Sequence, residues 1–188
     1  MIFDGARCDE LLALARQSIE LGLAEGRLAT YPRPALHASL ATHRSTFVTL
    51  RIDRTLRGCC GSLHPQRPLA EDLWRNAWAA AFTDPRFPPL EAAEYPGIDV
   101  HISVLSELEP LAVADEAELL RSLRPEVDGL LLQLGDSQVT FLPAVWQQLG
   151  DPVDFLRQLK FKAGWREDFW SPDLRLFRYT TESFGEVD

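Results

Sequence analysis

The sequence has no long apolar run and no excess of positive charge. No segment approaches the roughly 20 apolar residues that cross a bilayer, and the start, MIFDGARCDELL, places acids where a signal peptide has a basic region. Lys and Arg number 19 against 28 Asp and Glu, which gives a net charge of −9 and a pI near 4.9. Sequence-independent binding to nucleic acid depends on cations that neutralise phosphates. We therefore predict a protein that stays out of membranes and does not bind nucleic acid.

Cysteine is scarce as well. The three cysteines are Cys8, Cys59 and Cys60, and a disulfide between the two adjacent ones would be strained. Their spacing, even with His64 nearby, lacks the ligand pairs of a zinc site. Phosphate-binding loops, dinucleotide fingerprints and zinc-hydrolase motifs are missing too. These observations predict no metal, no cofactor and reduced thiols, as is typical of the cytoplasm.

Length and composition favour one globular domain. The chain has 188 residues, of which 46% are hydrophobic and 25% charged, the ordinary mixture of a folded protein. A core of this size needs no disulfide or metal to hold it together. We find no repeat and no linker long enough to divide the chain, and so predict a single domain over residues 1–188.

Helical and extended patterns follow one another without a regular βαβ order, which favours an α+β fold with a mixed, mainly antiparallel sheet and packed helices. We predict helices where apolar residues recur at spacings of three and four, and strands where they alternate. The predicted helices are 4–22, 68–82, 114–123 and a segment between 151 and 164; the predicted strands are 46–52, 55–63, 98–105, 129–134, 138–142 and 175–181.

A segment rich in glycine and cysteine, LRGCCGSL at 56–63, lies in the second predicted strand. Glycine inside a strand loses packing contacts and often marks a bulge or the close approach of a ligand. We therefore predict that Gly58, Gly61 and Ser62 contribute to substrate binding.

Strand parity leads to a further prediction for the same segment. If no bulge intervenes, Arg57 and Cys59 share one face of the strand and Cys60 points into the core. An adjacent guanidinium favours the thiolate form of a cysteine, so Cys59 and Arg57 are the predicted catalytic pair. The alternative is that both cysteines fill space in a crowded strand, as free cysteines commonly do.

The segment DPRFPPL at 84–90 contains three prolines, which fix φ and remove backbone donors. Such a stiff loop holds side chains rigidly, as a polar ligand requires, and we predict that Asp84 and Arg86 bind the ligand. The alternative is a local turn in which Asp84 caps the backbone and Arg86 pairs with an acid. His101 falls on the polar face of strand 98–105, where a histidine needs no catalytic role.

Seven segments occur in a characteristic order. They are FVTL at 47–50, LRGC at 56–59, AAFTDPRFPPL at 80–90, ISVL at 102–105, DGL at 128–130, FLPAVW at 141–146 and FLRQLKFKAG at 155–164. In this order they resemble the AMMECR domain family over nearly the whole chain. The family hallmark Leu-Arg-Gly-Cys-Ile-Gly corresponds to residues 56–61, with Cys60 in place of isoleucine. An apolar residue in the family at this position agrees with a core-facing Cys60.

The resemblance implies an α+β domain in which two lobes flank a cleft. It also implies company with a Memo-like protein and a radical SAM enzyme, and brings no established reaction. A cytoplasmic binding or accessory role beside these two proteins is therefore our main functional hypothesis. The alternative is an enzyme that uses the Cys59 thiolate, with Arg57, on a small anionic substrate. The sequence leaves open whether the chain forms a homodimer.

Overall fold

The computed structural model describes residues 3–34 and 37–186. The chain divides into two compact units: the first contains the residues up to Leu105 and those from Glu182 onward, and the second contains residues 106–181. Helices and antiparallel strands occur in both units, which confirms the predicted α+β fold. The cleft implied by the resemblance stays a prediction.

Four strands form the sheet of the first unit, in the order β2-β1-β3-β8. They are β1 (Thr46–Ile52), β2 (Thr55–Gly61), β3 (Ile98–Leu105) and β8 (Thr181–Gly185). Strand β1 pairs antiparallel with β2 on one side and with β3 on the other. Both Asp53 and Arg54 have positive φ, as a type I′ hairpin turn requires. The structure thus confirms the predicted hairpin and supplies its turn type.

Two helices, α1 (Gly5–Glu25) and α2 (Leu69–Phe82), pack against this sheet. Asp4 caps α1 by accepting a hydrogen bond from the Arg7 N–H, and Gly26 ends the helix at φ +67°. Helix α1 therefore runs about one turn past its predicted end at residue 22. The core of the unit includes Leu11, Ile19, Val48, Leu50, Leu73, Trp74, Ala77, Val100 and Ile102.

The second unit has its own antiparallel sheet, in the order β4-β7-β5-β6. Its strands are β4 (Glu109–Pro110), β5 (Gly129–Leu134), β6 (Ser137–Phe141) and β7 (Arg175–Tyr179), and its helices are α3 (Glu116–Ser122) and α4 (Pro152–Lys162). Asp151 caps α4, as predicted. In the core, the rings of Trp146 and Phe155 stack with centroids 3.8 Å apart.

The structure corrects the last predicted strand. Residues 175–181 are not one strand, because β7 ends at Tyr179 and β8 begins at Thr181 in the other sheet. Between them, Thr180 exchanges hydrogen bonds with Ser106 through its N–H and its carbonyl. The short strand β4 was not predicted either. None of the helices in the described residues has the length and apolarity needed to span a membrane.

Candidate functional site around Cys59

A β-bulge interrupts β2 at Arg57. Leu50 pairs with Gly58 and Arg51 pairs with Leu56, which leaves Arg57 as the extra residue. A bulge bends the strand and changes the direction of neighbouring side chains. The parity argument that placed Arg57 and Cys59 on one face therefore does not hold, because it required an uninterrupted strand.

The guanidinium of Arg57 binds Glu94. Its Nε and Nη2 donate to the two carboxylate oxygens at 2.7 and 2.8 Å, and these hydrogen bonds raise the pKa of Arg57. The guanidinium also lies 5.9 Å from the ring centroid of Phe87 and donates to the Pro89 carbonyl at 3.4 Å. With its side chain 12% exposed, Arg57 fastens β2 to the chain that follows α2.

The Cys59 thiol has polar neighbours. Its Sγ accepts a hydrogen bond of 3.4 Å from the Thr49 hydroxyl. After Asp84, the neighbouring Cys59 is a further contributor to the raised pKa of Arg86. The backbone N–H of Cys59 donates to Asp84 Oδ2 at 2.8 Å. The structure thus places Arg86 next to the thiol, while Arg57 binds Glu94.

Asp84 and Arg86 form a two-pronged ion pair in the proline-rich loop. Arg86 Nε and Nη2 donate to Asp84 Oδ1 and Oδ2 at 2.9 and 2.6 Å. Hydrogen bonds from this guanidinium, more than those from the two backbone N–H groups, lower the pKa of Asp84 to about 2. The Asp84 side chain is 3% exposed and that of Arg86 is 55% exposed. The carboxylate is therefore enclosed, and the guanidinium extends into solvent.

Gly58 and Gly61 lie where neighbouring groups leave no room for a side chain. A Cβ on Gly58 would lie 2.1 Å from the Ala80 carbonyl oxygen of α2, and one on Gly61 would lie 2.3 Å from the ring of Phe47. Packing within the first unit thus explains glycine at both positions. Their contact with a substrate stays a prediction.

Ser62 belongs to a buried polar network that we did not predict. Its hydroxyl donates to Asp72 Oδ2 at 2.7 Å. The same oxygen accepts hydrogen bonds of 2.8–2.9 Å from the N–H and hydroxyl of Thr46 and from the Asn76 amide. These bonds join the start of α2 to β1 and to the end of β2. In the sequence, the trace is the i,i+4 spacing of Asp72 and Asn76 in helix α2.

Cys60 and Cys8 have apolar surroundings. Cys60 packs against the core of the first unit, as predicted from parity and from its isoleucine equivalent. Burial raises the pKa of its thiol. Cys8 packs against the same core from α1, and burial is likewise the main cause of its raised pKa. Cys59 is therefore the thiol with a polar environment.

The register of the sheet aligns Cys59 with two further polar residues. Thr49 pairs with Cys59 on β2 and with His101 on β3, so the three side chains share the face opposite Val48. Neighbouring strands lie about 4.8 Å apart, which separates Cys59 and His101 by roughly 10 Å. Direct proton transfer requires hydrogen-bond distance, so the strand spacing does not favour His101 as the base for this thiol. His101 packs on Gly185 of β8.

The groups near the Cys59 sulfur are hydrogen-bond donors, namely the Thr49 hydroxyl and the Arg86 guanidinium. A guanidinium has five N–H groups, and Arg86 donates to Asp84 through Nε and Nη2, which leaves its outer edge facing solvent. Within residues 3–34 and 37–186, no three His, Cys, Asp or Glu side chains are grouped to hold a metal ion. The arrangement therefore suits a carboxylate, a phosphate or a carbonyl group better than a cation.

Comparisons with known proteins agree with this fold and with the predicted resemblance. The sequence model of the AMMECR1 family matches residues 12–184. The chain belongs to the AMMECR1 family. An AMMECR1-type relative from Methanothermobacter thermautotrophicus is 37% identical, covering 94% of this chain and 92% of that protein. The crystal structure of uncharacterized protein PH0010 from Pyrococcus horikoshii is 32% identical and has a TM-score of 0.87, over 95% of this chain and 90% of that one.

Membership of the AMMECR1 family confirms the predicted relationship, and the match to the Pyrococcus structure confirms the fold. Protein MJ0810 of Methanocaldococcus jannaschii is a further relative, 36% identical over 77% of this chain and 74% of that protein. These comparisons concern whole chains and not individual side chains. The predicted site roles of Arg57, Gly58, Cys59, Gly61, Ser62, Asp84 and Arg86 therefore stay predictions.

Proposed function

We propose that this AMMECR1-family chain is a binding or accessory component that acts with a Memo-like protein and a radical SAM enzyme. The proposal rests on Asp84, whose carboxylate is held in its ionised form by Arg86. A general base works best when its pKa lies near the operating pH, and the pKa of Asp84 is about 2 because Arg86 holds the carboxylate. Glu94 is paired with Arg57 in the same way, which lowers the pKa of Glu94. Both groups suit a rigid binding surface better than acid–base catalysis.

The exposed edge of Arg86 is the contact that this proposal assigns to a partner. Its ion pair with Asp84 and the prolines of the loop fix the guanidinium before a partner arrives. A side chain that is already ordered loses little conformational entropy on binding. The partner surface would present a carboxylate or a backbone carbonyl, which an arginine recognises through paired N–H groups.

Affinity capture at native protein levels tests this role. Tagged protein should retain the Memo-like protein and the radical SAM enzyme from native extract, and Arg86→Gln should reduce their recovery by about tenfold, as expected for an arginine at the centre of an interface. Arg166→Gln is the matched control, because Arg166 pairs with Asp168 at the same two-residue spacing and lies exposed in the second unit. Recovery of neither partner would contradict the proposal, and so would equal losses in the two variants.

A second candidate function is catalysis by the Cys59 thiolate on a small anionic substrate. The observation in its favour is that the Thr49 hydroxyl donates to the Cys59 sulfur and that Arg86 lies beside Cys59. A donor and a positive charge both favour the charged form of an acid. Arg86 then takes the place beside the thiol that the sequence assigned to Arg57.

Alkylation of the native protein across pH separates the two functions. An active thiolate predicts that iodoacetamide labels Cys59 near neutral pH faster than it labels free cysteine, and that Arg86→Gln slows this labelling. Mass spectrometry assigns the label to each cysteine, with Cys60 as the internal control. Labelling of Cys59 at the rate of free cysteine, or only after denaturation, would leave the binding role as the surviving proposal.

A further inference from the structure

A cavity of about 320 Å³ lies beside the first half of α2, away from Cys59. Its walls come from residues 28–31, from Arg33, and from Glu71, Trp74 and Arg75. The Cys59 segment meets α2 at Ala80, which packs on Gly58. Glu71, in the cavity wall, lies nine residues before Ala80, or about 13 Å along the helix. The volume falls at the lower end of the range for small-molecule sites, about 300–1,000 Å³. This cavity belongs to neither function proposed above.

Arg33 is the residue that points to a ligand. Its φ of +48° is left-handed, a conformation that costs a non-glycine residue free energy, and it precedes a proline, which restricts it further. Within residues 3–34 and 37–186, its guanidinium takes part in no hydrogen bond or ion pair, although its charge acts on Tyr31. The strained backbone of Arg33 thus places this unpaired positive charge in the cavity wall, and an anionic ligand would account for this arrangement.

The cavity lining includes a second guanidinium, that of Arg75. Arg75 contacts Glu71 through a long hydrogen bond of 3.4 Å, and exposed pairs of this i,i+4 type are weak. The cavity is therefore lined by two arginines and one glutamate, a positive balance within a chain whose net charge is −9. Glu71 partly offsets this positive balance.

The floor of the cavity is aromatic and rigid. Trp74 is buried, and its indole N–H donates to the Ala29 carbonyl at 3.0 Å. The ring of Tyr31 meets that of Trp74 edge to face, with centroids 5.9 Å apart. Because Trp74 is buried and its indole N–H already has a partner, Tyr31 offers the aromatic contact here, and its hydroxyl is a further polar group.

We propose that this cavity binds a small organic oxyanion, a carboxylate or phosphate carried on an apolar body, with Arg33 as its main cation. Guanidinium groups match the geometry of both oxyanions through paired N–H groups. The ring of Tyr31, which packs edge to face on the buried Trp74, contacts the apolar body. The site is independent of Cys59 and Arg86, so variants of those residues leave it intact.

Titration with benzoate and with phenyl phosphate in low-salt buffer tests this site. Calorimetry measures affinity, and the NMR signal of the Trp74 indole N–H reports location. At least one probe should bind saturably and shift that signal, and the stronger of the two identifies the oxyanion. Arg33→Gln should weaken binding by about tenfold. Arg27→Gln is the matched control, because Arg27 is exposed nearby and pairs with Glu25 outside the cavity.

Arg33→Gly separates ligand binding from a structural role. Glycine adopts positive φ readily, so this variant should melt close to the wild type while it loses binding. The proposal is wrong if neither probe saturates below about 10 mM, where binding is weaker than −3 kcal/mol. It is equally wrong if both Arg33 variants bind as tightly as the wild type, or if Arg27→Gln weakens binding as much as they do.

Discussion

Replacement of Asp84 by asparagine measures how much the pair with Arg86 stabilises the first unit. Hydrogen bonds from Arg86 lower the pKa of Asp84 from its ordinary 3.8 to about 2. At 1.36 kcal/mol per pKa unit, this lowering corresponds to about 2 kcal/mol at neutral pH. The carboxylate is enclosed while the guanidinium is 55% exposed, so solvent screens part of the interaction. Asparagine keeps the size of the side chain but turns one acceptor into a donor that faces other donors. We therefore expect Asp84→Asn to lower the free energy of unfolding by about 2 kcal/mol at pH 7.

The pH dependence gives this prediction its sign. A carboxyl group whose pKa is lower in the folded state stabilises the protein above its unfolded pKa, and this contribution is lost as pH falls through the folded value. The difference between wild type and Asp84→Asn should therefore stay constant from pH 7 to about 5, shrink below about 4, and be largely lost near pH 2. Urea unfolding, followed by tryptophan fluorescence at a series of pH values, measures both proteins.

Asp168→Asn is the matched control for this experiment. Asp168 also pairs with an arginine two residues away, but its side chain is 72% exposed. Exposed pairs contribute about 0–1 kcal/mol, so this variant should unfold almost as the wild type does. The reasoning is refuted if the loss in Asp84→Asn persists unchanged at pH 2, or if Asp168→Asn loses as much stability at pH 7.

Three further predictions concern β2. Gly58→Ala should lower the free energy of unfolding in urea by about 3 kcal/mol, since backbone atoms must shift to admit a methyl group. Gly97 has open space around it, so Gly97→Ala should have little effect, and equal effects of the two variants would contradict the packing argument. Arg57→Gln should lower the free energy of unfolding by about 1–2 kcal/mol and leave the alkylation rate of Cys59 unchanged. A slower alkylation rate would show that Arg57 does activate the Cys59 thiol. Cys60 should remain unlabelled in the native protein after Cys59 has reacted, and simultaneous labelling by mass spectrometry would refute its core position.

Most helices and strands could be predicted because local rules govern them. The alternation of Val48, Leu50 and Ile52 marks β1, and the Asp151-Pro152 start marks α4. The bulge at Arg57 could not be predicted in the same way. It depends on the pairing register with β1 and on the close approach of Gly58 to α2, and both are tertiary contacts. The hydrogen bonds of Thr180 to Ser106 that separate β7 from β8 are also distant in sequence.

The same distinction applies to the candidate site. Asp84 and Arg86 could be predicted to lie together because they are two residues apart in a stiff loop. The core position of Cys60 followed from parity, since β2 is regular beyond Gly58. Thr49 and Arg86 could not be assigned to Cys59, because one belongs to the partner strand and the other to the loop after α2. The positive φ of Arg33 leaves no periodic signal in the sequence either.

The position of β2 at the edge of its sheet limits how any ligand reaches Cys59. An edge strand presents unpaired backbone groups to which another chain can add a strand. Here the N–H of Cys59 is bound by Asp84, and Arg57 ties the bulge to Glu94 and the Pro89 carbonyl. Strand addition at this point would have to break both ion pairs. A partner or substrate therefore meets the site through side chains, the Cys59 sulfur and the outer edge of Arg86, and this is why we expect Arg86→Gln to affect recognition as well as the fold.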